Sequence, residues 1–284
     1  MNPRISLIVP AHNEAAVIAQ TLAPLRALAY QGKAEVIVVP NACTDQTAEA
    51  ARAACPEAQI LSTEVPGKAN ALNIAMTRAK GDAVISLDAD LVLPASAVEI
   101  LAAPLLDGRA DATCGRMHVD LGGAALLVRL FYQGWALNPY HDGGKFGGVF
   151  GLSRAAVVRI FPLPPLTADD EYVSRKVAPA RTQFCPAVRF TVFAPRTLRA
   201  LFAIRKRSWR GTRALATAAA GRKTNAGAAR TVLSRAKTQP QTWAGVAVYF
   251  AVILAARLAV FCERASAKTR WERDDTSRIA RTQS

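Results

Sequence analysis

The sequence predicts an α/β protein whose front half is built on a mostly parallel sheet flanked by helices. Two observations predict it: short apolar runs of strand length alternate with Ala-rich stretches of helical length, and each run ends in a turn that carries polar residues. The first run, Ile5 to Val9 in "RISLIVPAHNE", stops at Pro10, and Asn13-Glu14 then opens a helix. The second, Val36 to Val39 in "AEVIVVPNACTD", is followed by Thr44 or Asp45 as N-cap for "QTAEAARAA". The third, "AQILS", leads into "VPGKANALNIAMTRAKG", a helix with a basic last turn that is expected to close at Gly81. The fourth is "DAVISL", which runs straight into "DAD".

Open parallel sheets bind ligands beyond the carboxyl ends of their strands. The unusual polar residues fall there: His12, Asn13 and Glu14, then Asn41 and Asp45, then Lys68, then Asp88 and Asp90. Each alone reads as an ordinary turn or helix start. Their recurrence at four successive strand ends is what marks a site. A core strand that finishes on two carboxylates at alternate positions suits a hard divalent cation, Mg²⁺ or Mn²⁺, which takes one or two carboxylates and fills its other positions with substrate phosphates.

Composition excludes several classes. A 284-residue chain that is 51% hydrophobic and 20% charged is not disordered by composition. Cys43, Cys55, Cys114, Cys185 and Cys262 lie far apart without a CxxC, so neither a disulfide framework nor a zinc site is expected, and a reducing compartment fits. His12, His118 and His141 are scattered and sit at no metal spacing. The first apolar run has strand length rather than the length of a secretory leader, so the catalytic part is expected in the cytoplasm.

The net charge of +15 is concentrated in the back half, where residues 172–262 carry 17 basic side chains and no acidic one. Nucleic acid and an anionic membrane surface are the ordinary partners of such a stretch. "TLRALFAIRKRSWRGTRAL" sets Leu198, Leu201, Phe202 and Trp209 along one side of a basic amphipathic helix. Residues 216–241 read as a basic linker, residues 242–262 as a hydrophobic membrane-associated helix, and residues 263–284 as a charged tail. From Trp243 to Phe261 the only charge is Arg257, close enough to the end to snorkel. Trp243 and Tyr249 suit a membrane interface. Basic residues flank both ends, so a single C-terminal span and an in-plane helix both remain open.

With these residues in view, the chain resembles the family 2 glycosyltransferases of the inverting, nucleotide-sugar-dependent kind. The resemblance covers roughly residues 4 to 215, in order: "VPAHNEA", "VVPNACTDQTAEAA", "PGKANALN", "LDAD", "FGGVFGLSRAAV" and "LTADDEYVSRKV". It implies a GT-A fold, Rossmann-like, over residues 1–215, with the basic and hydrophobic helical part as a C-terminal extension. It also implies that Pro10, Glu14, Asn41, Lys68 and Asp88 bind the nucleotide, and that Asp90, with Asp88, holds the metal. Gly147 and Gly148 would lie beside the acceptor, and Arg205, Arg207, Trp209 and Arg210 would contact acceptor or phosphate. In the acidic segment Asp170 is the expected base and Asp169 the alternative. Where the family's second motif usually carries acidic residues this chain has Pro40 and Asn41, so the base of the donor is open.

The function so implied is transfer of a sugar from a nucleotide donor to an acceptor hydroxyl or lipid phosphate at the cytoplasmic face of a membrane, in cell-surface glycan or glycolipid synthesis, with a glycan or lipid-linked acceptor. Two other classes compete. A metal-dependent nucleotidyltransferase would also use paired carboxylates, but it leaves residues 169–171 without a proton-transfer role. A nucleic-acid-binding protein would use the basic stretch, yet the aromatics there sit in apolar runs rather than on an exposed basic face.

Overall fold

The structure is a computed structural model, and it describes residues 4–143, 145–217 and 227–263, without the side chains of 145, 216 and 217. The chain forms two compact units. Among the described residues, the first comprises 4–118 and 145–192; the second comprises 119–143, 193–217 and 227–263.

In the first unit, β1 (Ile5–Ala11) is buried at every position, as a strand covered on both faces must be. It pairs in parallel with β2 (Ala34–Pro40) on one side and β4 (Ala83–Leu87) on the other. A short β3 (Gln59–Ile60) extends the parallel part beyond β2. Helix α1 (Ile18–Tyr30) connects β1 to β2 and buries Ile18, Thr21, Leu22, Leu25 and Leu28, the spacing of one helical face. Helices α2 (Thr47–Ala54) and α3 (Lys68–Arg78) make the next two crossovers. The N-cap of α2 is Gln46 rather than Thr44 or Asp45, and its side chain makes no cap bond; Asp45, one residue earlier, reaches past it, its Oδ1 accepting from Thr47 N at 3.1 Å.

Gly81 does not close α3, which ends three residues earlier. Its role is close approach: a Cβ there would lie 2.6 Å from Ser6 N of β1, so a side chain would push β4 off its neighbour.

Beyond β4 the sheet changes character. Strand β5 (Leu91–Val92) is followed by α4 (Ala95–Leu106), β6 (Ala112–Asp120) and α5 (Leu126–Trp135). Strand β7 (Lys145–Ser153) runs antiparallel to β4 and to β6. Helices α6 (Arg154–Ile160) and α7 (Asp169–Lys176) precede β8 (Thr182–Phe193), which pairs antiparallel with β5. The full order is β3-β2-β1-β4-β7-β6-β8-β5. The parallel character predicted from the sequence is therefore that of β3-β2-β1-β4. The three β-α repeats that lead to β4 could be read because a parallel crossover needs a helix; an antiparallel return needs none, and strand direction leaves no periodicity to read. One apolar core lies on each face of the sheet, one centred on Leu7, Leu22 and Leu101, the other on Ile8, Leu72 and Val157.

The second unit is helical. Helix α8 (Leu198–Thr217) spans the basic amphipathic segment, and α10 (Trp243–Cys262) spans the hydrophobic one. Between them, within the stretch read as a basic linker, Ala228–Lys237 forms α9 with Val232 and Ala236 buried. The charged tail beyond Glu263 lies outside the described residues. Helix α10 buries Val246, Tyr249, Val252, Ala256 and Val260; Tyr249 and Val252 pack with Val128, Phe131 and Leu201, and Val246 with Leu137, Val232 and Ala236. Tyr249 is turned inward, where its hydroxyl accepts from Asn138 Nδ2 at 3.0 Å; it does not serve as an interface anchor. The opposite side of α10 stays apolar and exposed at Leu254, Leu258 and Phe261. By length and composition, residues 240–262 are able to cross a membrane.

Candidate active site

The carboxyl ends of β1, β2 and β4 and the start of α3 converge in the first unit. Asn41, at the end of β2, ties them together: Nδ2 donates to Ala11 O at 2.7 Å, and Oδ1 accepts from Gly67 N at 3.1 Å. Both ends of this buried amide are thus used inside the protein. His12 Nδ1 lies 2.7 Å from Asn41 O, and Glu14, buried, donates its backbone N–H to Thr47 Oγ1 at 2.7 Å. Ala15 N donates to Asp45 Oδ2 at 3.1 Å. Pro10 is buried in β1 opposite Val39. The polar residues after the first two strands therefore form one hydrogen-bonded rim.

Asp88 leaves the end of β4 in a fixed direction. Its backbone N–H donates to Gly148 O at 2.8 Å, across the β4–β7 pair. Gly148 has φ +89°, and a Cβ there would approach Leu91 Cδ2 to 3.2 Å and Asp88 Oδ2 to 3.8 Å. Glycine is required by the backbone and by the neighbour at once. Gly147 is buried beside it, while Gly144 and the Lys145 side chain lie outside the described residues.

Asp90 lies in the turn between β4 and β5. That turn is held from below by Thr21 of α1, a residue the sequence reading passed over. Its hydroxyl, fully buried, lies 2.8 Å from Ala89 O and 2.7 Å from Leu91 O, so one proton is shared between the carbonyls on either side of Asp90. The signal was present: Thr21 is the one polar side chain on the buried face of α1.

The decisive contact is made by Lys68 at the first position of α3. Its Nζ lies 2.7 Å from Asp88 Oδ1 and 2.9 Å from Asp169 Oδ2. One ammonium thus joins the carboxylate at the end of β4 to the acidic segment that opens α7. Asp169 is 4% exposed, and its Oδ2 is enclosed with Lys68 as an ion-pair partner rather than an aligned hydrogen-bond donor. Asp170 is half-buried, and its Oδ1 accepts from Glu171 N at 2.8 Å. Glu171 is paired with Arg175 one turn later, at 2.8 Å.

The electrostatics follow from one cation among several carboxylates. Burial pushes the Asp169 carboxyl up to about 6; Lys68 opposes the shift, while Asp170 and Asp88 add to it. Burial alone would pull the Lys68 ammonium down, but Asp169, Asp88 and Asp170 outweigh it and hold it above its ordinary value. The site carries a surplus of negative charge.

A divalent cation fits that surplus. The donors near the β4 end are hard carboxylate oxygens, and Asp88 and Asp169 share one ammonium, that of Lys68. Among the described residues no three His, Cys, Asp or Glu side chains form a metal site by themselves.

The predicted acceptor-side residues Arg205, Arg207, Trp209 and Arg210 lie on α8, in the second unit. Arg210 is engaged there with Glu263, Nε donating to Oε2 at 2.7 Å.

Known proteins share the family and the fold. Residues 6–157 match the family described as glycosyl transferase family 2. The chain belongs to that family. A curated relative, the probable glycosyltransferase YdaM of Bacillus subtilis (strain 168), is 32% identical over 136 residues, which are 45% of this chain and 32% of YdaM. The chain thus spans about a third of that relative's length. The mannosyltransferase PcManGT from Pyrobaculum calidifontis, solved with GDP-Man and Mn²⁺, aligns with TM-score 0.57 at 26% identity over 91% of this chain and 76% of its own. Glucosyl-3-phosphoglycerate synthase from Mycobacterium tuberculosis, solved with Mn²⁺, UDP-Glc and phosphoglyceric acid, aligns with TM-score 0.57 at 23% identity, over 75% of this chain and 79% of its own. The same synthase has also been solved with Mg²⁺ and UDP. The fold of this family 2 glycosyltransferase is GT-A.

Proposed function

We propose that this family 2 glycosyltransferase moves a sugar from a nucleoside diphosphate sugar to an acceptor hydroxyl or lipid phosphate by a single inverting displacement. The observation that carries the reading is the double contact of Lys68. It joins the "DAD" turn, suited to a metal and diphosphate, to the acidic segment, suited to proton transfer. A nucleotide-sugar transferase needs both at one centre.

Asp90 and Asp88 would hold a Mg²⁺ or Mn²⁺ ion. Bound there, such an ion neutralises the charge of the departing diphosphate. The chain's own residues do the rest. Glu14, Pro10 and the rim around Asn41 form the nucleotide side of the site. Asn41 acts by holding that rim, because both ends of its amide are already bonded. Gly147 and Gly148 keep the acceptor side of β7 free of side chains.

Asp170 is the base: it takes the proton of the acceptor hydroxyl as that oxygen bonds to the anomeric carbon and the bond to the diphosphate breaks. Asp169 is buried against Lys68, whereas Asp170 Oδ2 makes no hydrogen bond among the described residues. One observation favours Asp169 instead, its pKa raised to about 6, which suits a base near neutral pH. Retained donor affinity with lost transfer in Asp170→Asn, but not in Asp169→Asn, decides for Asp170.

The second unit is the membrane side of the protein. Helix α10 is apolar over its length and exposes Leu254, Leu258 and Phe261. The chain works at the cytoplasmic face of a membrane, where nucleotide sugars are made, on a lipid-linked or glycan acceptor in cell-surface glycan synthesis.

The test is nucleotide release by the full chain in detergent or liposomes from a panel of UDP-, GDP- and dTDP-sugars, with Mn²⁺, Mg²⁺ or chelator. Slow hydrolysis of one donor that stops with chelator supports the reading and names the donor. A panel in which no donor binds overturns it.

A further inference from the structure

A cleft in the second unit carries chemistry that the transferase centre does not use. It lies between α8 and α10, has a volume of about 170 Å³, and is lined by Arg205, Ser208, Trp209, Thr212 and Arg257 together with Ile253. By the same measure one water needs about 10–15 Å³, so the cleft admits a group well above the size of phosphate.

Its guanidiniums are not spent on carboxylates. Arg205 Nε is buried and donates to no acceptor. A buried N–H without a partner is destabilising, so such a group points to a ligand that completes it. Neither Arg205 nor Arg257 has a carboxylate partner among the described residues; their contacts are with the rings of Phe131 and Trp209. The Arg257 guanidinium sits 4.5 Å from the Trp209 ring centroid, a cation–π position that holds it over the cleft. Their neighbours Lys206 and Arg210 on α8 differ, both being paired with Glu263.

The chemistry of the missing partner follows. Two guanidiniums and the Ser208 hydroxyl present many donors, the complement of a phosphate, which offers acceptor oxygens and negative charge, while the Thr212 hydroxyl is spent on Ser208 O at 3.0 Å. The position supplies the rest. Arg257 is five residues from the end of an apolar helix, about 7.5 Å along its axis. Leu254 and Phe261, three residues before and four after it, share its face and are 59% and 76% exposed. A charged pocket flanked by an exposed apolar stripe near a helix end matches the boundary between hydrocarbon and headgroups.

We propose that this cleft binds the phosphate headgroup of a lipid, with its hydrocarbon chain lying along Leu254, Leu258 and Phe261. The inference deepens the membrane part of the proposed function and rests on it. Arg205, Trp209 and Arg257 are its contacts, and Arg210, spent on Glu263, is not.

The experiment titrates the full chain in phosphatidylcholine nanodiscs with phosphatidic acid, with a fatty acid of the same chain length, and with inorganic phosphate, following tryptophan fluorescence. Saturable binding of phosphatidic acid is expected, weakened about tenfold in Arg257→Gln by loss of charge-assisted hydrogen bonds and unchanged in Arg213→Gln. Arg205→Gln should weaken it likewise; should that variant not fold, exposed Arg257 still decides. Equal affinity in wild type and Arg257→Gln overturns the proposal. Equal response to the fatty acid overturns it as mere apolar adsorption, and equal affinity for inorganic phosphate overturns the lipid assignment. Donor binding measured on the same preparation separates the two readings. Donor binding without selective lipid binding sinks this inference alone, and lipid binding without donor binding sinks the transferase reading alone.

Discussion

Lys68 Nζ lies 2.9 Å from Asp169 Oδ2, and this contact fastens the start of α3 to the start of α7. The two residues are far apart in the chain, and each sits at the first position of its helix. The same ammonium, 2.7 Å from Asp88, makes the β4 end part of one charged cluster.

Removing the lysine leaves carboxylates facing one another. Lys68→Met should cost about 1–3 kcal/mol of stability near neutral pH, the scale of stranding a largely enclosed charged group. Asp169→Asn in the same chain should return part of that loss, because the stranded charge is then absent. Chemical denaturation of the two single variants and the double variant measures the coupling, and strict additivity would contradict the pairing.

Thr21 acts on the metal turn through the backbone. Thr21→Val keeps the shape and deletes the proton shared by Ala89 O and Leu91 O. The expected result is a loss of about 1–2 kcal/mol in stability and weaker Mn²⁺-dependent donor binding, with Thr21→Ser restoring both. Donor affinity unchanged in the valine variant would show that the turn holds itself.

At Gly148 the backbone and the neighbours agree. Gly148→Ala places a Cβ 3.2 Å from Leu91 on a residue at φ +89°, at a cost of about 1–3 kcal/mol. Since Gly148 O also accepts from Asp88 N, donor hydrolysis should fall with stability. Melting temperature and turnover measured together check this; a fully stable alanine variant would contradict it.

Glu263 sets an acid limit on the second unit. Its hydrogen bonds from Arg210, then from Lys206, hold its carboxyl at about 2, below the ordinary 4.5, despite some opposing desolvation. A depressed folded pKa means stability that is complete above the unfolded pKa and is lost as pH falls from about 4.5 toward 2. Glu263→Gln should flatten unfolding free energy over that window and lower it above. An acid titration of both proteins by circular dichroism reads the difference.

Much of this was legible in the sequence, and the reasons are local. The strands of the parallel part announce themselves as apolar runs, and the polar residues after them fall where such sheets bind ligands. What stayed hidden depends on pairs remote in the chain. Lys68 reads as a nucleotide contact until Asp169 is seen beside it. Asn41 reads as a free amide until Ala11 and Gly67 are found occupying both of its ends. The segment before α10 reads as a linker because its basic residues, its glycines and Pro240 mask a ten-residue helix whose buried positions are only Val232 and Ala236.

The most direct test of the account is calorimetric titration of GDP-mannose and UDP-glucose into the full chain with Mn²⁺, compared with chelator and with Asp90→Ala. The account predicts saturable binding of one donor with Mn²⁺, weakened by more than about tenfold in Asp90→Ala and with chelator, a loss at least that of disturbing a metal ligand's supporting contacts. Equal donor affinity in all three conditions would contradict it.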